Sequence, residues 1–101
     1  MKTEKNNFDT NQLECIKRVD LNTVLYFVTV MNYKTIFNAS IVMNCSPPTV
    51  SIMLKRFCSY FPVPLFEKEG RNLIPTRYAH ELYKKIEVML REIEKALSDV
   101  Q

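Results

Sequence analysis

The stretch Asn44–Ser51, NCSPPTVS, is a short polar break between two segments with helical periodicity. On either side of it, residues 36–43 and 50–57 place apolar side chains three and four positions apart. Ser46 is a good N-cap, and the proline after it stands where a missing N–H costs nothing. Two short helices joined by a tight turn, the second starting sharply, are typical of a helix-turn-helix, which presents a helix N-terminus to the DNA major groove.

Length and composition are typical of a single, mostly α-helical domain. The chain has 101 residues, 47% of them hydrophobic and 25% charged, and its one glycine argues against sandwiches and barrels, which need many turns. No apolar run approaches the roughly 20 residues of a membrane span. Residues 1–7 lack a signal-peptide hydrophobic region. We therefore expect a cytoplasmic protein with no membrane partner.

Residue types that support catalysis or metal binding are sparse. Cys15, Cys45 and Cys58 are odd in number and widely spaced, which predicts buried or half-buried thiols rather than disulfides or a zinc site. A redox switch is the open alternative. His80 has no cysteine or serine at a meaningful spacing, and one glycine cannot build a phosphate loop. The sequence predicts no enzyme, no metal and no cofactor.

Capping residues set the predicted boundaries of the first helices. Residues 1–11 are polar and expected to be disordered at their start, and residues 12–19 have the spacing of a short helix. Asp20 is the predicted N-cap of a helix over 21–31, whose wide apolar stripe is assigned to the core. Thr35 is the predicted cap of the next helix, which runs through residue 43.

The second half of the chain predicts a wing and a long helix. The helix that follows Ser46 is expected to end near Tyr60, before a proline-rich stop. Residues 65–68 and 71–74 flank the only glycine, which predicts a two-stranded hairpin. Thr76 is placed to cap the final helix.

That final helix carries a sustained heptad pattern of apolar residues. An apolar seam this long, on a helix that rises about 1.5 Å per residue, should extend past a small core, and therefore predicts a homodimer. Packing on its own domain is the alternative for the first turns. The predicted dimerisation residues are Ala79, Leu82, Ile86, Met89, Ile93, Ala96 and Val100.

Positive charge gathers on the segment with the helix-turn-helix pattern. Residues 34–77 carry six lysines and arginines against two glutamates, a balance of +4, whereas residues 78–101 have a balance of −1. Phosphate binding requires such a distribution. A solvated surface that is basic by chance is the alternative.

The spacing Ser46-x-Pro48-x-x-Ser51, together with Leu65-Phe66 and Gly70-Arg71 further along, is a specific pattern. On these motifs the chain resembles, from about Asp20 to Leu97, the DNA-binding domain of LysR-type transcriptional regulators, in particular their NodD- and LeuO-like branch. The resemblance implies a winged helix-turn-helix with a two-stranded wing and a long linker helix that pairs with its partner's, antiparallel. It also implies a bacterial protein associated with the nucleoid, and a following effector-binding domain, whereas this chain ends at Gln101. The matching residues are Asp20, Leu21, Phe27, Val30, Ala39, Met43, Ser46, Pro48, Val50, Ser51, Val63, Pro64, Leu65, Phe66, Gly70, Arg71, Pro75, Thr76 and Ala79.

Departures from the family pattern weaken the base-reading surface. Pro47 stands where glutamine is usual, and Ile52 where many members have a polar or basic residue. This surface can touch thymine methyl groups but cannot make bidentate contacts with guanine. We therefore expect relaxed specificity and a preference for A·T-rich DNA, with Arg71 in a narrow minor groove. The alternatives are a plain phosphate contact for Arg71 and local helix capping for Thr49 and Ser51.

These patterns divide the chain into an N-terminal extension (1–19), a DNA-binding domain (20–77) and a dimerisation helix (78–101). The leading hypothesis is a dimeric regulator of transcription that binds double-stranded DNA, without effector sensing in this chain. The other is a module that pairs with other LysR-type or nucleoid-associated regulators. The candidate DNA-contacting residues are Thr35, Ser46, Pro47, Pro48, Thr49, Ser51, Ile52, Lys55, Arg56, Lys68 and Arg71.

Overall fold

The computed structural model describes residues 9–99, which form a winged helix-turn-helix with a long C-terminal helix, as predicted. The predicted seam residue Val100 and the first eight residues of the predicted disordered start lie outside the described residues. In chain order the elements are α1 (Thr10–Lys17), α2 (Asn22–Tyr33), α3 (Ile36–Met43), α4 (Pro47–Cys58), β1 (Phe66–Glu69), β2 (Asn72–Pro75) and α5 (Arg77–Ser98). Helices α3 and α4 are the helix-turn-helix, and β1 and β2 are the wing.

The core lies between α2, α3, α4 and α5 and is centred on aromatic rings. Phe27 is fully buried; its ring stacks on Phe57 with centroids 4.8 Å apart and meets the Phe66 ring edge-on at 6.1 Å. The predicted core stripe of α2 is too wide, since Leu21 and Leu25 are exposed. A helix packed on one side buries only the face turned to its neighbours. The buried apolar residues are Phe27, Val30, Met31, Ala39, Val50, Leu54, Phe57, Leu65, Ala79 and Ile86.

The first two helices begin at different residues from those predicted. Helix α1 starts two residues early, because Asp9 and Gln12 form a capping box with reciprocal bonds of 2.8 and 2.9 Å. Helix α2 starts at Asn22, one residue late, and its N-cap is Leu21, which makes no side-chain cap bond, rather than the predicted Asp20. The carboxylate of Asp20 nevertheless accepts a hydrogen bond from the Asn22 N–H at 3.0 Å, so Asp20 does satisfy one of the open donors there.

Two helix ends also differ from the prediction. Helix α2 continues two residues past the predicted end at residue 31 and stops at Lys34, whose left-handed backbone lets its N–H donate to the Val30 carbonyl at 2.8 Å. Helix α4 ends at Cys58 rather than near Tyr60. There the Ser59 hydroxyl donates to the Arg56 carbonyl at 2.6 Å.

The predicted caps of α3, α4 and α5 are confirmed. In each case a threonine or serine hydroxyl accepts a hydrogen bond from the backbone N–H three residues later. The capping residues are Thr35, Ser46 and Thr76. These caps fix where each helix starts, and α4 therefore begins at the proline predicted for its first turn.

The wing is a hairpin whose strands each lie one residue later than predicted. The pairs run from Phe66 opposite Pro75 to Glu69 opposite Asn72. Leu65, the predicted first residue of β1, lies buried just before the strand, and its carbonyl accepts the Thr76 N–H at 3.0 Å in continuation of the same register. Gly70 forms the turn with φ +65°, a conformation that L side chains rarely adopt.

Candidate nucleic-acid interface

The N-terminal end of α4 is exposed, and its hydroxyl groups bond to each other. The Ser46 Oγ accepts from the Thr49 N–H at 3.3 Å and lies 2.9 Å from the Thr49 Oγ1. Pro47 and Pro48 occupy the first turn, where they leave no unsatisfied N–H group. Both hydroxyls retain hydrogen-bonding capacity for a ligand.

The outward face of α4 combines one short hydroxyl, one large apolar side chain and two cations. Ser51, Ile52, Lys55 and Arg56 are exposed, whereas Val50 on the opposite face is fully buried. Ile52 is 60% exposed. Since nothing in the core requires it there, this side chain is available for contact with another molecule.

The two cations of α4 have different surroundings. Arg56 Nη1 lies 3.2 Å from the Asp20 carboxylate, and the Asp20 N–H donates to the Tyr60 hydroxyl at 2.9 Å. These two contacts hold the loop before α2 against the C-terminal end of α4. Among residues 9–99, Lys55 has no carboxylate within 4.0 Å. The charge of Arg56 is therefore partly offset within the domain, while that of Lys55 is not.

A groove of about 400 Å³ runs between α4 and the wing and gathers several predicted DNA contacts. Ser51 and Lys55 line it from α4, and Lys68 and Arg71 line it from the hairpin. Within the described chain, none of the three cations has an ion pair. The wing glutamates alternate with Lys68 along β1 and so lie on the other face of the strand. The groove is therefore cationic.

A smaller cleft of about 210 Å³ lies between the start of α3 and the tip of the wing. It is lined by Thr35, a predicted contact, by Arg71, and by Lys34, which was not among the predicted site residues. The Thr35 hydroxyl accepts from the Asn38 N–H at 3.0 Å. The only signal in the sequence for Lys34 was a cation directly before a capping threonine.

The cysteines lie apart from one another and are free thiols. Cys45 and Cys58 are half-buried as predicted, but Cys15 is exposed because no part of α1 is buried. Burial raises the pKa of the Cys58 thiol, which borders the cationic groove. Over residues 9–99 there is no group of histidine, cysteine and acidic residues that could hold a metal ion.

The predicted dimer seam divides into two parts. Ala79 and Ile86 are buried in the protein's own core and Leu82 packs against it, as the alternative interpretation of the first turns required. Met89, Ile93 and Ala96 are exposed, and so are Val88 and Leu97 beside them. Only the outer part of α5 therefore presents an apolar face that this chain leaves open.

Comparisons of the sequence identify one family. The family described as bacterial regulatory helix-turn-helix protein, lysR family, matches residues 21–80. The regulator YbeF of Escherichia coli is 34% identical over 82 residues, which are 81% of this chain and 26% of that protein. LeuO of Escherichia coli is 32% identical with the same coverage. The chain thus spans about a quarter of the length of these relatives.

Two solved structures share the fold. A probable transcriptional regulator from Pseudomonas aeruginosa, PA0477, superposes with a TM-score of 0.78 at 24% identity, over 86% of this chain and 29% of that one. The BenM DNA-binding domain in complex with benA site 1 DNA has a TM-score of 0.72 at 20% identity, over 79% of this chain and 90% of that one.

The family match and the helices of the structure also bear on two other classes of protein, enzymes and membrane-spanning proteins. The matched family is one of transcriptional regulators and not of enzymes. In the part of the chain that is described, no helix is long and apolar enough to cross a membrane. Since the family match covers the entire helix-turn-helix and the wing, this chain belongs to the LysR family of bacterial regulators and carries its helix-turn-helix DNA-binding domain.

Proposed function

We propose that this chain binds double-stranded DNA as a homodimer in the bacterial cytoplasm and thereby regulates transcription. In this proposal α4 enters the major groove and the wing contacts the adjacent minor groove. Residues 20–77 bind DNA and residues 78–101 form the dimer. The observation that carries the proposal is the cationic groove between α4 and the wing, lined by Lys55, Lys68 and Arg71.

Electrostatics support a phosphate ligand for this groove. Three cations on two elements face one space without a carboxylate partner within residues 9–99. By contrast Arg91 and Lys95 of α5 are paired with glutamates at 2.9 and 3.5 Å. A DNA backbone supplies the missing anions, and each phosphate contact releases counterions and makes the affinity depend on salt.

The exposed surface of α4 supports relaxed base reading. Thr49 and Ser51 offer short hydroxyls, and Pro47, Pro48 and Ile52 offer apolar contact suited to thymine methyl groups. None of these side chains can make the bidentate contacts that select guanine. We propose that preference for A·T-rich DNA comes from Arg71 at the wing tip, inserted into a narrow minor groove. The complex of the BenM DNA-binding domain with benA site 1 DNA is an example of a protein of this fold bound to DNA.

The outer face of α5 supports the dimer. Met89, Ile93 and Leu97 follow one another at four-residue spacing along one side of a helix of 22 residues, about 33 Å long, and each is more than half exposed. Three large apolar side chains on one exposed side of a helix favour burial against a second apolar helix. A second copy supplies such a helix.

The test is fluorescence anisotropy with A·T-rich and G·C-rich duplexes over a salt series. We expect log affinity to fall linearly with log salt and to favour A·T-rich DNA. Arg71→Ala should lose that preference, Ser51→Ala should keep it with weaker binding, and Lys84→Gln, which removes a cation of α5, is the control. Failure of the folded wild-type dimer to bind either duplex at low salt would contradict the proposal.

The same exposed face favours a second candidate function, pairing with other LysR-type regulators. Such pairing would use Met89, Ile93 and Leu97 and would not need the cationic groove. Subunit exchange with a labelled LysR-type partner, compared between the wild type and a variant without the three groove cations (Lys55→Ala, Lys68→Ala and Arg71→Ala combined), separates the two functions. Exchange that persists in a chain unable to bind DNA supports the second.

A further inference from the structure

Lys34 has an unusual backbone conformation for its residue type. Of the residues described, three have positive φ: Gly70 at +65°, Asn44 at +57° and Lys34 at +77°. Glycine and asparagine adopt this region readily, but a longer side chain is crowded there. The role of Lys34 in ending α2 uses only its N–H, which donates to the Val30 carbonyl at 2.8 Å. A glycine would end the helix equally well.

The side chain of Lys34 lies beside the wing. It is exposed and borders the cleft of about 210 Å³ that Thr35 and Arg71 also line. It borders a second cleft of about 390 Å³ as well, with Asn72 and His80. Nowhere in residues 9–99 does a carboxylate come within 4.0 Å of its ammonium group.

Two cations that line one small cleft without an acidic partner repel each other. The Thr35 hydroxyl can still donate its own proton but is uncharged, so the charged lysine and arginine are the strongest donors at this cleft. An anion between them would remove the repulsion and satisfy both. The open anions of duplex DNA are its phosphates, which a lysine contacts as a flexible point charge.

We propose that Lys34 contacts a backbone phosphate of duplex DNA, opposite Arg71 across the cleft between α3 and the wing; this rests on the proposed function. The charge of the lysine then explains why this residue type is retained in an unfavourable backbone conformation. Strained backbone conformations are common at functional sites. The contact adds a second anchoring point beyond the groove between α4 and the wing. It positions the domain on the DNA and carries no base specificity.

The test measures DNA affinity against salt for the wild type, Lys34→Gly and Lys34→Asn, with Lys84→Gln as the charge-matched control. Loss of one phosphate contact lowers the magnitude of the log–log salt slope by about 0.9, so that the wild-type advantage shrinks about 3.5-fold between 50 and 200 mM salt. Lys34→Gly should at the same time raise the melting temperature by about 4 °C, because the crowded side chain is gone.

The outcome for Lys34 can be separated from the outcome for DNA binding as a whole. A reduced slope in both Lys34 variants, which should retain wild-type circular dichroism, together with an unchanged slope in Lys84→Gln, supports the contact. Wild-type slopes in both Lys34 variants would overturn it while leaving the proposed function intact. No binding by the wild type would overturn both.

Discussion

Truncation of Ile93 offers the most direct test of the dimer. Ile93 is 54% exposed on α5 and touches no part of the described core. Fully burying an isoleucine contributes roughly 1.5–3 kcal/mol, so burying its exposed half in a dimer contributes about 1 kcal/mol per protomer. Each dimer contains two copies of Ile93, so Ile93→Ala should reduce the free energy of dimerisation by about 2 kcal/mol. This corresponds to a dimer dissociation constant about 30-fold higher.

Sedimentation equilibrium over a range of protein concentrations measures this constant directly. Ile52→Ala is the matched control, because Ile52 is another exposed isoleucine, 60% accessible, but lies on α4. The melting temperature should be compared at a concentration where both variants are in the same oligomeric state, since association stabilises the fold by mass action.

Either of two results would refute this reasoning. If Ile93→Ala and Ile52→Ala dimerise equally tightly, the outer face of α5 is not the interface. If the wild type stays monomeric at all concentrations, the apolar face has another partner, as the second candidate function requires. A dissociation constant raised about 30-fold in Ile93→Ala and unchanged in Ile52→Ala would establish the outer face of α5 as the dimer interface.

Two further predictions concern the groove. Lys55→Ala should lower the magnitude of the salt slope for DNA binding by about 0.9. Arg56→Ala should change the slope by less than half as much, because Asp20 partly offsets the charge of Arg56. Equal slopes in the two variants would contradict the assignment of Lys55 as the phosphate contact. Burial raises the pKa of the Cys58 thiol, so its thiolate forms at higher pH than that of an ordinary thiol. At pH 8 mass spectrometry should therefore show that iodoacetamide alkylates Cys58 more slowly than the exposed Cys15, and the difference between the two rates should narrow as the pH rises. Equal rates for the two thiols at pH 8 would refute this prediction.

Much of the fold could be predicted from the sequence because its signals are local. Each cap, at Thr35, Ser46 and Thr76, bonds a backbone N–H only three residues away. Gly70 likewise marks the turn of the wing by its own backbone freedom. The small shifts in the helix ends came from local contacts as well, the Asp9–Gln12 capping box of α1 and the left-handed Lys34 at the end of α2, which the spacing of apolar residues does not reveal.

The candidate site was less completely predictable, because charge balance depends on neighbours in space. Arg56 and Lys55 are adjacent cations in the sequence, yet Arg56 alone meets a carboxylate, that of Asp20, which is 36 residues away. Lys34 was missed for the same reason. Only the folded wing brings Arg71 to the cleft that Lys34 borders.

The sequence by itself determined the element order, the caps of α3, α4 and α5, the wing turn and the family. It could do so because these properties depend on residue identity and on spacings of a few residues. Only the tertiary structure decided which part of the α5 seam is core, with Ala79 and Ile86 inside and Met89 and Ile93 open. It also decided which cations are paired. The burial of a side chain and the ion pairing of a cation depend on residues that are distant in the sequence but close in the fold, and a local sequence pattern does not contain that information.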